Sequence, residues 1–231
     1  MQTISIVGLG YIGLPTAVIF ASYGFKVIGV DLNKYIVENV NKGESHISEP
    51  NLDKLLKSVV KKKLLIAKEK PSYSDIYIIA VPTPHHLGEN DFYYPNTSIV
   101  FDAVESICPY LNKDNLIILE STCPVGTTDK VVEFISKKSN LKKSDINIAY
   151  CPERVLPGNI LKELENNDRI IGGINDKAGQ MAKTLYSHIC KGEIFLTNAH
   201  TAEMAKLSEN AYRDINIAFA NELSIICDKL N

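Results

Sequence analysis

Three groups of residues in this chain have the types and spacing that chemistry needs. Lys206 and Asn210 stand four apart in Lys206-Leu207-Ser208-Glu209-Asn210, and Arg213 follows three positions later. On a helix these positions lie on nearly one face. A lysine there can stabilise a developing alkoxide or pass a proton, and an asparagine can hold a substrate hydroxyl or a water. The second group is Cys151-Pro152-Glu153-Arg154-Val155-Leu156-Pro157-Gly158. Glu153 could position a water or accept a proton, and Arg154 could grip an anionic substrate group in bidentate fashion. The third is Gly8-Leu9-Gly10-Tyr11-Ile12-Gly13, followed by Asp31 at 18 residues beyond Gly13.

The glycine run follows a strand pattern, Thr3 to Val7, and opens a helix pattern from Gly13 to Tyr23. Gly8 permits the tight turn, Gly10 lets a pyrophosphate reach the backbone, and Gly13 lets helix and strand pack closely. The helix N-terminus then offers free N–H groups and partial positive charge to the phosphates. Asp31 ends a second strand, Lys26–Val30, where its carboxylate would accept the adenosine ribose hydroxyls and repel a 2′-phosphate. NAD is therefore expected rather than NADP.

Further strands are expected at Ile76–Val81, Asn115–Leu119 and Ile146–Tyr150, with late or edge strands over 169–172 and 193–196. Helices are expected over 33–42, 51–62, Asn96–Cys108 and from Thr127. Short apolar runs alternating with helical patterns imply βαβ units: an α/β, Rossmann-type, mostly parallel sheet with helices on both faces. Val81-Pro82-Thr83-Pro84 and Glu120 to Thr128 fall at strand C-termini, where open α/β sheets bind ligands. From about residue 198 no Pro or Gly occurs, and apolar residues recur through Ala202, Ala205, Ile215, Phe219, Leu223 and Ile226. This reads as one helix of about 30 residues, roughly 45 Å long, largely buried through its apolar positions. A helix of that length bridges domains or packs in a dimer. The expected organisation is a dinucleotide domain over 1–197 and a long helix over 198–231.

Composition narrows the class. The chain has 231 residues, 45% hydrophobic and 23% charged, with a formal net charge of −2. No extended basic surface points to nucleic acid, no apolar run reaches the roughly 20 residues that span a bilayer, and no signal peptide is read at the N-terminus. Five cysteines, scattered and odd in number, fit reduced thiols in a cytoplasm and show no metal-ligand spacing.

Taken together, Gly8 to Pro15, Val81 to Pro84, Ser121 to Thr128 and Ala202 to Asn210 resemble the nucleotide-sugar 6-dehydrogenases of the UDP-glucose/GDP-mannose dehydrogenase family. Cys151 to Asn159 and Arg213 to Leu223 are similar to the branch that oxidises UDP-N-acetyl-D-mannosamine. The resemblance implies that Tyr11, Ile12, Asp31, Thr83 and Thr122 contact NAD. It implies that Arg154, Val155, Lys206, Asn210 and Arg213 contact the UDP-sugar. Lys206 would exchange the proton, and Glu153 would assist water in thioester hydrolysis. UDP-glucose enzymes usually carry a second glutamate four residues later; Pro157 stands there and disfavours that substrate.

The family reaction takes a C6 alcohol to a carboxylate with two NAD, through a cysteine-bound thioester. That cysteine belongs to a Gly-rich loop beyond the long helix, and the chain reaches Asn231 without one. Cys227, in Ile225-Ile226-Cys227, reads as packing. The expectation is thus the NAD-binding part of a longer enzyme, inactive alone, and homodimeric through the long helix. The alternatives are a UDP-N-acetylglucosamine or UDP-glucose 6-dehydrogenase, a one-step β-hydroxyacid dehydrogenase with a similar Lys-x-x-x-Asn helix, or a non-catalytic NAD-binding or dimerisation module.

Overall fold

The computed structural model describes residues 2–89 and 91–230. The chain opens with β1 (Thr3–Val7), α1 (Gly13–Ser22), β2 (Lys26–Val30), α2 (Lys34–Lys42), α3 (Leu52–Lys61), β3 (Leu65–Lys68) and β4 (Ile76–Ile79). A small hairpin follows, β5 (His85–Leu87) and β6 (Tyr93–Pro95), and then α4 (Ser98–Ile107), β7 (Leu116–Leu119), α5 (Thr127–Lys138) and β8 (Asn147–Tyr150). The last elements are α6 (Ile160–Asn166), β9 (Arg169–Gly173), α7 (Asp176–Tyr186), β10 (Ile194–Asn198) and α8 (Ala199–Leu230).

Eight strands form one sheet in the order β10-β9-β8-β7-β4-β1-β2-β3. Neighbours are parallel except β8 and β9, which meet antiparallel through Ala149↔Gly173 and Tyr150↔Gly172. Central strands such as Ile76-Tyr77-Ile78-Ile79 and Leu116-Ile117-Ile118-Leu119 are buried along their whole length, as expected where helices cover both faces of a parallel sheet. One apolar core fills the face under α1, α3 and α6, including Leu14, Phe20, Leu56 and Ile160. A second lies on the opposite face, around Tyr77, Val104, Ile135 and Tyr150. Helix α1 is buried from Gly13 through Ala21 and is apolar on every side, the pattern of a helix enclosed by its domain.

The expected α/β architecture is the observed one. Strand β3, the β5–β6 hairpin, α6 and α7 have no counterpart among the expected elements. β3 has only four residues, alternating buried and exposed, and takes its register from β2 through Val27↔Leu65 to Val30↔Lys68. Its pairing, more than its own pattern, makes it a strand.

The long helix runs from Ala199 to Leu230, and the side-chain oxygen of Asn198 accepts the Thr201 amide at 2.8 Å as its cap. The expected burial of its apolar positions is found at Ala202 and partly at Ala205, but not at those beyond Asn210. Its buried residues are Ala199, Ala202, Glu203 and Lys206, and all residues from Asn210 to Leu230 are exposed. Ile215, Phe219, Leu223 and Ile226 face outward. The helix docks through small and charged residues because Ala199 and Ala202 sit against Gly172, where even an added Cβ would come within 2.7 Å of Ala202. Asn231, the last residue of the expected second segment, lies outside the described residues. Among the described residues no helix is long and apolar enough to cross a membrane.

Candidate functional site

The sheet order places β1 and β4 side by side, with connections leaving in opposite directions, so a crevice opens above their C-terminal ends. The glycine loop fills one side. Gly8 has φ +94°, and a Cβ there would meet the Ala80 carbonyl oxygen at 2.6 Å. A Cβ on Gly13 would meet the Gly8 carbonyl oxygen at 1.8 Å, whereas one on Gly10 meets no protein atom within 4 Å. Gly8 and Gly13 are thus required by the protein's own packing. Gly10 is not, and the space beside it is open to a ligand. Helix α1 starts without a side-chain cap. The Leu14 amide donates to the Gly10 carbonyl at 3.1 Å and Pro15 has no N–H, so what the helix start offers a phosphate is chiefly the positive end of its dipole.

The Asp31 carboxylate accepts the Leu9 amide at 2.9 Å and the Asn33 amide at 2.9 Å. Each oxygen keeps a lone pair that can take a ribose hydroxyl. Tyr11 is exposed, and Ile12, Thr83 and Thr122 are half-buried around the same crevice edge. The loops carrying Thr83 and Thr122 are tied together by the Ser121 hydroxyl, which donates to the Val81 carbonyl at 2.7 Å.

The antiparallel step between β8 and β9 explains how a helix so late in the chain reaches this edge. After a strand parallel to β1, a following helix would run down and away from the C-terminal edge. Because β9 and β10 run the other way, α8 climbs back toward it. Lys206 arrives beside Glu153. Its Nζ donates to the Glu153 main-chain carbonyl at 2.7 Å and lies 3.4 Å from Glu153 Oε1, with Lys206 only 6% exposed. The other Glu153 oxygen accepts the Val155 amide at 2.9 Å. The rest of this loop is pinned: the buried Glu49 accepts the Gly158 and Ile160 amides, and Asn167 Nδ2 donates to the Arg154 carbonyl.

Arg154 and Arg213 also converge. Arg154 Nε donates to Glu209 Oε2 at 2.9 Å, and Arg213 Nη2 to Glu209 Oε1 at 3.4 Å. A cleft of 380 Å³ lies on one side, lined by Leu156, Asn166 and Arg213 among others. A second, of 290 Å³, reaches Lys206, Pro152 and Phe195. Asn210, one turn beyond Lys206, is exposed. The expected stripe of Lys206, Asn210 and Arg213 is therefore divided: the lysine is buried under the loop, and the other two face open space.

Residues that the sequence reading did not single out hold the site in place. Glu203, fully buried, accepts the Gly126 amide at 2.6 Å, the Thr128 amide at 2.8 Å and the Thr128 hydroxyl at 2.7 Å. It thereby caps α5 and anchors α8 in one step. Three residues before Lys206, it shares that residue's helix face, a signal that was available in the sequence. Below the crevice, Glu120 accepts the Tyr186 hydroxyl at 2.7 Å and the Thr16 hydroxyl at 3.3 Å. Burial pushes the Glu120 carboxyl above its ordinary range, opposed by the charge of Arg169 and the Tyr186 hydrogen bond. Arg169 stacks over the Tyr186 ring, 4.5 Å from its centre, and approaches Cys151 Sγ at 3.8 Å.

The cysteines near the crevice are poor nucleophiles. Burial pushes the Cys123 thiol up to about 12 and the Cys151 thiol up to about 11. Cys227 is exposed, far along α8 from Lys206.

Residues 2–190 match the UDP-glucose/GDP-mannose dehydrogenase family, NAD binding domain, and residues 200–231 match the family's central domain. A UDP-N-acetyl-D-mannosamine dehydrogenase from Campylobacter jejuni is 52% identical over 99% of this chain and 57% of its own length. An NDP-N-acetyl-D-galactosaminuronic acid dehydrogenase from Ralstonia nicotianae is 48% identical over 99% of this chain and 55% of its own. The solved structure of a UDP-D-ManNAc dehydrogenase from Pyrococcus horikoshii superposes with a TM-score of 0.90 at 43% identity, covering 97% of this chain and 54% of that one. The chain spans about half the length of the curated relatives it matches.

Proposed function

Since this chain belongs to the UDP-glucose/GDP-mannose dehydrogenase family and carries its NAD binding domain, we propose that it is the NAD-binding part of a nucleotide-sugar 6-dehydrogenase, with UDP-N-acetyl-D-mannosamine as substrate. The observation that carries the reading is the buried Lys206 held against Glu153 at the crevice edge. The division into residues 1–197 and 198–231 belongs to the same proposal.

Gly8, Gly10, Tyr11, Ile12, Gly13, Asp31, Thr83 and Thr122 would hold NAD, which supplies the hydride acceptor. Arg154, Val155, Asn210 and Arg213 would hold the UDP-sugar with its C6 hydroxyl toward Lys206. Lys206 stabilises the developing alkoxide and exchanges its proton, and Asn210 fixes a hydroxyl or a water. Glu153 assists the water that releases the carboxylate. The sulfur nucleophile is assigned outside these residues, because Cys123 and Cys151 are buried and Cys227 is remote from Lys206. Its absence leaves the chain inactive alone.

The test is to count NADH per sugar. The chain by itself is expected to bind NAD in preference to NADP and to form no NADH from UDP-N-acetyl-D-mannosamine. The same residues joined to the remaining part of the family fold are expected to form two NADH per sugar, and less with UDP-N-acetylglucosamine or UDP-glucose. Two NADH per sugar from the chain alone would sink the partial-enzyme reading. Turnover of a small hydroxyacid but of no UDP-sugar would sink the substrate.

The outward apolar row on α8, Ile215, Phe219, Leu223 and Ile226, supports a homodimer formed helix to helix. Light scattering should give about twice 25.6 kDa, and the double variant Phe219→Glu, Ile226→Glu should give the monomer mass. A wild-type monomer at about 50 μM, well above the Kd of a stable dimer, would end the dimer reading. A cytoplasmic location completes the proposal, and a membrane or periplasmic fractionation of the native protein would contradict it.

A further inference from the structure

Glu209 has no role in the function proposed above, yet it holds the two arginines assigned to the UDP-sugar. Its carboxylate takes Arg154 Nε at 2.9 Å on one oxygen and Arg213 Nη2 at 3.4 Å on the other. It thus occupies, from within the chain, the place that an anionic ligand group would take between two guanidinium groups. Glu209 and Arg154 also line both clefts, the one toward Arg213 and the one toward Lys206. Their ion pair is the partition between the two.

Building on the proposed UDP-sugar site, we infer that Glu209 is an internal counter-anion, displaced when a substrate diphosphate enters. The pair is suited to exchange. The Arg154 side chain is 44% exposed and the Glu209 side chain 26%, and water-facing ion pairs are weak and easily opened. A diphosphate brings more negative charge and more acceptor oxygens to the same two arginines than one carboxylate does. Once Glu209 swings away, Arg154 is free to turn. The two clefts then join into one groove that leads from Arg213 past Arg154 to Lys206. The exchange also gives selectivity. A neutral sugar cannot release the pair, so the groove toward Lys206 opens for a ligand carrying a diphosphate and stays divided for one without it.

The test is calorimetric titration of the 231-residue chain and its Glu209→Gln variant with UDP and with inorganic pyrophosphate. Glu133→Gln, which removes one charge from a remote surface pair with Lys143, controls for net charge. Removing the competing carboxylate should tighten both ligands about tenfold relative to wild type and to the control. Unchanged or weaker binding in Glu209→Gln, with wild type binding normally, overturns the exchange and leaves the UDP-sugar reading standing. Binding of neither ligand by either protein also overturns the exchange, because the two arginines then take no phosphate, while the UDP-sugar reading is decided separately by the NADH count of the joined protein.

Discussion

Glu203→Ala is expected to destabilise the protein by about 3–5 kcal/mol and to release the start of α8 from the sheet. The buried carboxylate satisfies the Gly126 amide, the Thr128 amide and the Thr128 hydroxyl. Alanine would strand all three donors away from water, at about 1–3 kcal/mol for each buried group left unpaired. It would also remove a negative charge from the N-terminus of α5, where the helix dipole favours one. Glu203→Gln keeps the shape and one acceptor oxygen, and should cost less. Denaturant melts of the three proteins decide the matter. Hydrogen exchange adds a spatial readout: the amides of Gly126 and Thr128 should lose protection in Glu203→Ala ahead of the sheet amides. A loss below about 1 kcal/mol, the scale of an exposed cap, would show that α8 is held by its alanines instead.

The second large effect separates two glycines that a motif treats alike. Gly13→Ala places a methyl 1.8 Å from the Gly8 carbonyl oxygen. No rotamer relieves a clash with backbone, so helix α1 must move off β1. The expected loss is about 3 kcal/mol or more, and NAD affinity falls with it. Gly10→Ala meets no protein atom within 4 Å and should melt within about 1 kcal/mol of wild type, the ordinary scale of a tolerated change. It should still weaken NAD by about tenfold or more, since the methyl stands where the pyrophosphate must approach. A Gly10→Ala protein with normal melting and undiminished NAD binding would contradict the placement of the pyrophosphate over Gly10.

Legibility in the sequence follows the range of the interaction. The strand runs at Thr3–Val7 and Ile76–Ile79, the glycine fingerprint and the acid at Asp31 are local patterns, and each has its counterpart in the fold. The contact between Lys206 and Glu153 joins residues 53 apart, through an antiparallel strand pair that no local pattern announces. The residue types pointed to the same cleft, but the direction of α8 depended on that reversal. The polarity of α8 was misread for a related reason. Periodicity identifies an apolar face, yet it cannot say whether that face meets this chain's own sheet. Here the glycines of β9 select alanines, and the capping need of α5 selects Glu203, so the polar face turns inward. Glu209 and Glu120 lie inside segments whose pattern gives them no role, and Arg169 stands in no motif. Their roles come only from what lies across the gap from them.

The exposed half of α8 makes the helix a lever with its fulcrum at the Lys206 contact. Leu230 is 24 residues further on, about 36 Å at 1.5 Å per residue, while Asn210 is only about 6 Å away. A tilt of about 10° about Lys206 would carry the tip roughly 6 Å but Asn210 only about 1 Å. Displacements at the far end are therefore scaled down about sixfold before they reach the site. A shift near 1 Å is still large on the scale at which reacting groups must be aligned. Whatever grips the far end of this rod also sets the aim of Asn210.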